Sequence, residues 1–263
     1  MGRYHLWRLH PMGLDELPRG MSEREALKRL MTIGGFPEPF LSGDVLEARR
    51  WRRERLQKVI RDDVRDLESI RNIATLELFV GALRNRVGGL VVLGNLAADL
   101  QVAQKTLKSW LEVLERMYIV FTVYPYSTGI PRALQKPPKV FFYDTGDVDD
   151  DNGSRFENLV ATHLLKRYQF LEDRDGFEYK LYYLRDKEKR EVDFLFTKDN
   201  KPHLLVEAKW DSDEINPSLR YFANKLKPKH VVQVVGLLKR PFASEGVQVL
   251  PATQYFASLE THA

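Results

Sequence analysis

REVDFLFTKDNKPHLLVEAKW, Arg190–Trp210, is the stretch that decides the fold, because it reads as a β-hairpin. Arg190–Thr197 and Pro202–Lys209 are rich in β-branched, aromatic and aliphatic residues, and the Lys-Asp-Asn-Lys run at 198–201 is turn chemistry. With the turn centred near Asn200, antiparallel pairing sets Asp193 opposite Glu207. Side chains alternate faces along a strand. Val192, Phe194, Phe196, Leu204, Val206 and Ala208 then share an apolar face, and Asp193, Glu207 and Lys209 share the other. Directly opposed residues lie roughly 5 Å apart at Cβ, and like charges so placed destabilise a sheet unless something offsets them. A divalent metal is the usual offset, since hard cations take carboxylate oxygens. A register slipped by one residue would bury the charges instead.

Around this hairpin lies a chain of 263 residues, long enough for two domains. Apolar residues make up 43% and charged residues 30%, the balance of a soluble globular protein. The net charge of +4 suits an anionic partner without demanding one. There is no cysteine, so disulfides, thiolate metal sites and cysteine nucleophiles are excluded. The opening Met-Gly-Arg-Tyr-His has no signal-peptide layout, and no apolar run approaches the length of a membrane span. These features point to the cytoplasm and to no membrane partner. Oligomeric state leaves no mark in the sequence.

Taken in order, Tyr4, Leu6 and Arg8 alternate as in a short strand. Ser22–Met31 reads as a helix capped by Ser22, with Glu25 completing a capping box. GGFPEPF, 34–40, reads as a loop, since two glycines and two prolines argue against regular structure. Val45–Leu67 is helical and rich in arginine, with Trp51, Leu56, Val59, Ile60 and Val64 as its apolar stripe. Its arginines suit phosphate contacts, yet the interspersed Glu47, Glu54, Asp62, Asp63 and Asp66 argue against a pure phosphate footprint and favour a solvated face laced with salt bridges. A helix over Ala74–Val87 ends at Gly88-Gly89. A short helix at Leu96–Leu100, a turn at Gln101-Val102 and a longer helix at Gln104–Met117 have the layout of a helix-turn-helix, with Tyr118–Val123 as a wing strand. The outward positions of the second helix are Gln104, Lys105, Lys108 and Ser109, residue types that contact phosphates and base edges. Such folds also serve as protein-binding or structural modules.

PRALQKPPKVFFYDTG, 131–146, begins as a connector rich in proline and lysine and ends in a strand, Val140–Tyr143. Acidic DVDDDNG, 147–153, marks a domain boundary rather than a calcium loop, lacking the ligand spacing of one. Ser154 opens a helix in which Glu157 completes a second capping box. Strands at Lys180–Arg185, His230–Val235 and Gly246–Leu250 and a helix at Pro217–Leu226 complete the C-terminal part. It reads α-β-β-β-α-β-β, a mixed sheet with helices on its faces.

At these residues the chain resembles a known family. Glu157 on a helix, Asp193 on one strand and Glu207-Ala208-Lys209 on the next match the E…D…ExK signature of the PD-(D/E)XK nuclease-like superfamily. Val192 stands where the superfamily's proline would. GSRFENLVATHLL, YLRDKEKREVDFLF, LLVEAKW, PKVFFYDTG and GGFPEPF resemble a narrower group, the C-terminal region of prokaryotic AAA-type ATPases. RYHLWRLHPMGLDEL resembles the exit of the ATPase module. No GxxxxGK[ST] occurs, so this chain carries no nucleotide site of that kind.

The resemblance implies an α/β protein in three parts. They are a remnant of the ATPase exit and a linker helix (1–44), a helical winged-helix domain (45–146) and a restriction-endonuclease-like domain with a mixed sheet (147–263). It implies Mg²⁺ or Mn²⁺ held by Asp193, Glu207 and the Ala208 carbonyl. Glu157 would orient water or a second ion, and Lys209 would offset charge growing on a phosphate. Phosphodiester cleavage is the activity so implied. The alternative is a non-catalytic DNA- or protein-binding module that partners a separate AAA-type ATPase chain. A further alternative leaves Asp193, Glu207 and Lys209 as a solvent-facing charge ladder.

Overall fold

The hairpin forms the middle of a larger sheet. In a computed structural model, which describes residues 5–60, 73–127, 136–149 and 152–257, strand β4 (Glu191–Lys198) turns at left-handed Asp199 and Asn200 into β5 (Lys201–Lys209). Asparagine and aspartate tolerate that conformation, which is why this tetrapeptide makes the turn. The other strands are β1 (Val120–Pro125), β2 (Lys139–Phe142), β3 (Tyr179–Arg185), β6 (His230–Val235), β7 (Phe242–Ser244) and β8 (Val247–Pro251). They form one mixed eight-stranded sheet in the order β2-β1-β3-β4-β5-β6-β8-β7. β1 joins β3 in parallel, and β6 is parallel to both β5 and β8. The protein is therefore mixed α/β.

The helices are α1 (Glu23–Thr32), α2 (Pro37–Ser42), α3 (Val45–Lys58), α4 (Ile73–Arg84), α5 (Leu93–Asp99), α6 (Gln104–Arg116), α7 (Asn152–Asp175), α8 (Pro217–Leu226) and α9 (Ala252–Ala257). Long α7 lies along one face of the sheet. It joins Phe194, Phe196, Leu204 and Val206 to the main core, which also takes in the N-terminal helices. A second cluster, Leu195, Leu205, Leu219, Phe222 and Val249 among others, lies on the opposite face under α8. The two faces are the alternation of the hairpin made physical. No helix among the described residues is long and apolar enough to cross a membrane.

Several expectations are corrected. Residues 5–13 form no strand. They run along α7 instead, pinned by the Arg8 guanidinium on Glu172 and Asp173 and by the Leu14 N–H donating to His163 Nε2 over 3.0 Å. Residues 37–42 are helical, because Pro37 sits in the first turn, where its missing N–H is not needed. Val192 packs with Leu195 and Leu205 rather than with Phe194, because a bulge against β3 shifts the register between Tyr182 and Leu184. α7 already includes Asn152, so Ser154 lies within the helix rather than capping it. The Val64 end of the arginine-rich helix, and Asp62, Asp63 and Asp66, lie outside the described residues.

Candidate functional site

β4 brings Asp193, β5 brings Glu207 and Lys209, and α7 brings Glu157. The β4–β5 register pairs Phe194 with Val206 and Leu195 with Leu205; continued by one step it sets Asp193 opposite Glu207. The Asp193 N–H donates to Glu207 Oε2 over 3.4 Å, and Asp193 Oδ2 accepts from the Ala208 N–H over 3.0 Å. Lys209 Nζ stands 2.7 Å from Glu207 Oε1, which also accepts from the side-chain amide of Asn216, the N-cap of α8. Glu157 reaches the same group from the helix side and interacts electrostatically with both Asp193 and Glu207. The four side chains thus converge.

Among them stands a residue that sequence reasoning passes over. Lys139 opens β2, is 1% exposed, and is the lone charge in a four-residue strand buried throughout. Its Nζ lies 2.7 Å from Glu191 Oε1, 3.1 Å from Glu157 Oε1 and 3.4 Å from Asp193 Oδ1. A lysine at the head of an otherwise apolar strand is the signal that could find it, since a buried ammonium must find carboxylates. Glu191 and Asn216 also escape a reading of the sequence. From the other side, the turn at Gly88 presses on Glu157. Gly88 has φ +75°, and a Cβ there would stand 2.3 Å from Glu157 Oε2.

The electrostatics follow from crowding. Burial, then the charge of Asp193, pushes the Glu157 carboxyl up to about 8. The same two causes push Glu207 up to about 7. Burial alone would lower Lys139, but Glu157, Asp193 and Glu191 outweigh it and hold the ammonium charged. Burial opposes the ionisation of Glu191, and Lys139 beside it brings its carboxyl down. Lys209 is raised because Glu207 outweighs its own partial burial.

These residues do not fit a divalent ion as they stand. The three oxygens that face inward toward a common point, from Glu157, Asp193 and Glu191, are bridged by Lys139 Nζ. Asp193 Oδ2 and both Glu207 oxygens already accept hydrogen bonds from within the chain. Among the described residues no group of three or more His, Cys, Asp or Glu is arranged to hold a metal ion.

The other expected site lies on α6. Leu107, Trp110, Leu111, Val113 and Leu114 face the core, while Gln104, Lys105 and Lys108 are exposed and Ser109 is half-buried. α5 leads into α6 through Gln101, which takes the left-handed conformation at φ 54° without being glycine. The antiparallel pair β1–β2 follows α6, but β1 also joins β3 in parallel, so the strand expected as a wing is part of the central sheet.

Two family models match the chain in succession. Residues 24–148 match a domain of unknown function (DUF8612), and residues 152–255 match another (DUF4143). The chain is 29% identical over 155 residues to the uncharacterized protein MJ1637 of Methanocaldococcus jannaschii, a match covering 53% of this chain and 32% of that protein. It is 24% identical over 243 residues to the uncharacterized proteins Mb2031c of Mycobacterium bovis and Rv2008c of Mycobacterium tuberculosis, covering 87% of this chain and 53% of each. The matched parts are thus only about a third to a half of these relatives' length. A solved assembly of Thermococcus gammatolerans McrB AAA+ hexamers with bound McrC overlaps 42% of this chain and 33% of that chain at 13% identity. Its TM-score of 0.30 is too low to bear on fold or function. What the chain is similar to, then, is two consecutive domain families and several longer relatives.

Proposed function

We propose that this chain is a DNA-binding module that works with an AAA-type ATPase, its α5–α6 pair forming the reading head of a winged helix and its mixed sheet serving as a nuclease-like scaffold. One observation carries the reading. α6 turns an apolar face inward and presents Gln104, Lys105 and Lys108 together on the outside, with Ser109 at their edge. Ammonium and amide groups at helical spacing suit phosphate oxygens and base edges. The ATPase association is supported by the resemblance of GGFPEPF, PKVFFYDTG and the C-terminal motifs to the region that follows such modules.

The test is the salt dependence of binding to duplex DNA. Each lysine withdrawn from a phosphate reduces the slope of log K against log salt by roughly 1. Lys105→Ala combined with Lys108→Ala should therefore flatten the slope by about 2. An unchanged slope removes α6 from the interface and ends this reading.

The convergence of Glu157, Asp193, Glu207 and Lys209 favours a second reading, phosphodiester hydrolysis, because a buried group of acids is costly as mere structure. Lys139 weighs against it, since its ammonium stands among the oxygens that an ion would need. Incubation with plasmid, single-stranded DNA and RNA in Mn²⁺, beside Lys209→Ala, decides the matter. Cleavage lost in the variant would establish hydrolysis, and no cleavage of any of the three would leave the binding module.

A further inference from the structure

We propose that Lys139 is the resident cation of the carboxylate pocket: its ammonium takes the place a divalent ion would hold, and the native chain excludes such ions from it. This goes beyond the DNA-binding reading and does not depend on it.

An ammonium has three donors and no acceptor. The Lys139 Nζ meets one carboxylate oxygen each from Glu191, Glu157 and Asp193. Its donors are therefore matched one to one. Mg²⁺ requires oxygens at about 2.0–2.1 Å in near-octahedral array, and Mn²⁺ likewise takes an octahedral oxygen set. No such ion fits in this space beside the ammonium.

The lysine is also anchored at its base. Lys139 pairs with Val123 on β1 and forms an isolated bridge with Leu90 on its other side. The two residues before it are also held. The Pro138 carbonyl accepts from the Val91 N–H over 2.8 Å, and the Pro137 carbonyl accepts from the Tyr183 hydroxyl over 2.8 Å. The Tyr183 ring centroid lies 5.8 Å from Nζ. Its backbone is thus fixed on both edges, and its side chain is buried with the ammonium among three carboxylates. On the Glu157 side the turn at Gly88 lies against the carboxylate, and an added Cβ there would stand 2.3 Å from Oε2.

The acids belong to α7 and β4, whereas the cation and the glycine packed on Glu157 come from β2 and from the turn after α4. The pocket is assembled by the docking of one part of the chain onto the other. Its neutralisation is thus built in rather than taken from solution. Removing the ammonium alone, while keeping the acids, should uncover a place for a divalent ion.

Thermal unfolding in chelator and in a Mn²⁺ series tests this, on the native chain, Lys139→Ala and the double variant Lys139→Ala with Asp193→Asn. The native midpoint should not move with Mn²⁺. Lys139→Ala should unfold at lower temperature in chelator and gain about 5–10 °C at saturating Mn²⁺. The double variant should lose most of that gain. Should Lys139→Ala fail to fold in chelator, refolding in Mn²⁺ is the expected result. A Mn²⁺-dependent rise in the native chain that Asp193→Asn abolishes would overturn the proposal, since the ion would then have displaced the lysine. So would a Lys139→Ala that shows no response to Mn²⁺, whether folded or not.

Discussion

Two groups of buried acids, one just after β2 and one centred on β4, β5 and α7, are neutralised in different ways. Asp144 and Asp147, just after β2, meet arginines. Asp147 is bound by Arg55 of α3 and Arg84 of α4. Asp144 accepts from the Gly35 N–H over 2.8 Å and lies near the Arg52 guanidinium. Glu157, Asp193 and Glu207 meet lysines instead. Each group has a left-handed glycine pressed against a carboxylate, Gly34 on Asp144 and Gly88 on Glu157, where an added Cβ would stand 2.1 and 2.3 Å from an oxygen. The common plan is an acid enclosed by backbone that only glycine can provide. The difference lies in the cation. A guanidinium is broad, forked and permanently charged. An ammonium is a compact point charge, the closest a side chain comes to an ion. The first group is therefore a structural clasp, and the second gathers its acids around a compact side-chain cation.

The comparison can be broken at either end. Asp147→Ala should have the largest effect, because Arg55 and Arg84 cannot shed their charge once the acid is gone. A loss of about 3–5 kcal/mol is expected from the chemical-denaturation midpoint. A loss under about 1 kcal/mol, the size of a surface pair, would mean that both arginines find water and that the clasp is not one. Lys139→Met should cost somewhat less, about 3 kcal/mol at pH 8, and the loss should shrink on acidification. Glutamates left without their cation can take up protons, whereas arginines cannot release them. A loss that stays constant between pH 8 and pH 6 would contradict the electrostatic account.

The smallest effect is that of pH on the native chain. Glu157 and Glu207 are raised in the folded state, to about 8 and about 7. The folded state therefore binds more protons than the unfolded one between the ordinary carboxylate range and those values, and stability falls as pH rises through that window. His163, lowered to about 4 by burial, and His10, also lowered by burial, act in the opposite sense, but only below their ordinary value. Asp144, raised to about 6 by burial and by Asp147, acts with the glutamates but only up to that value. From about pH 6.5 to 8 the glutamates act alone among these groups. A decline on the order of 1 kcal/mol is expected there, and Glu157→Gln should reduce it. Stability that rises across this range would remove the shifts.

What the sequence discloses is local. The hairpin can be read because Lys-Asp-Asn-Lys fixes the turn and a period of two fixes the faces. Asp193, Glu207 and Lys209 can be placed by parity alone. The face of α6 can be read from a period of 3.6. The remainder depends on distant pairing. Nothing near Val192 announces the bulge that moves it to the α8 face. Nothing in Val120–Pro125 announces that β1 joins β3 in parallel and so carries β2 to the acids. Lys139 therefore reads as part of a connector, although PPKVFFYD already sets one charge at the mouth of a buried strand. The α2 helix escapes for a different reason: prolines in a first helical turn read like loop prolines.

The most direct test is a crystal of the native chain soaked in Mn²⁺ and measured at the manganese edge. The account predicts no anomalous peak between Glu157, Asp193 and Glu191, with Lys139 Nζ in that place. A peak there, with the lysine turned aside, would contradict it.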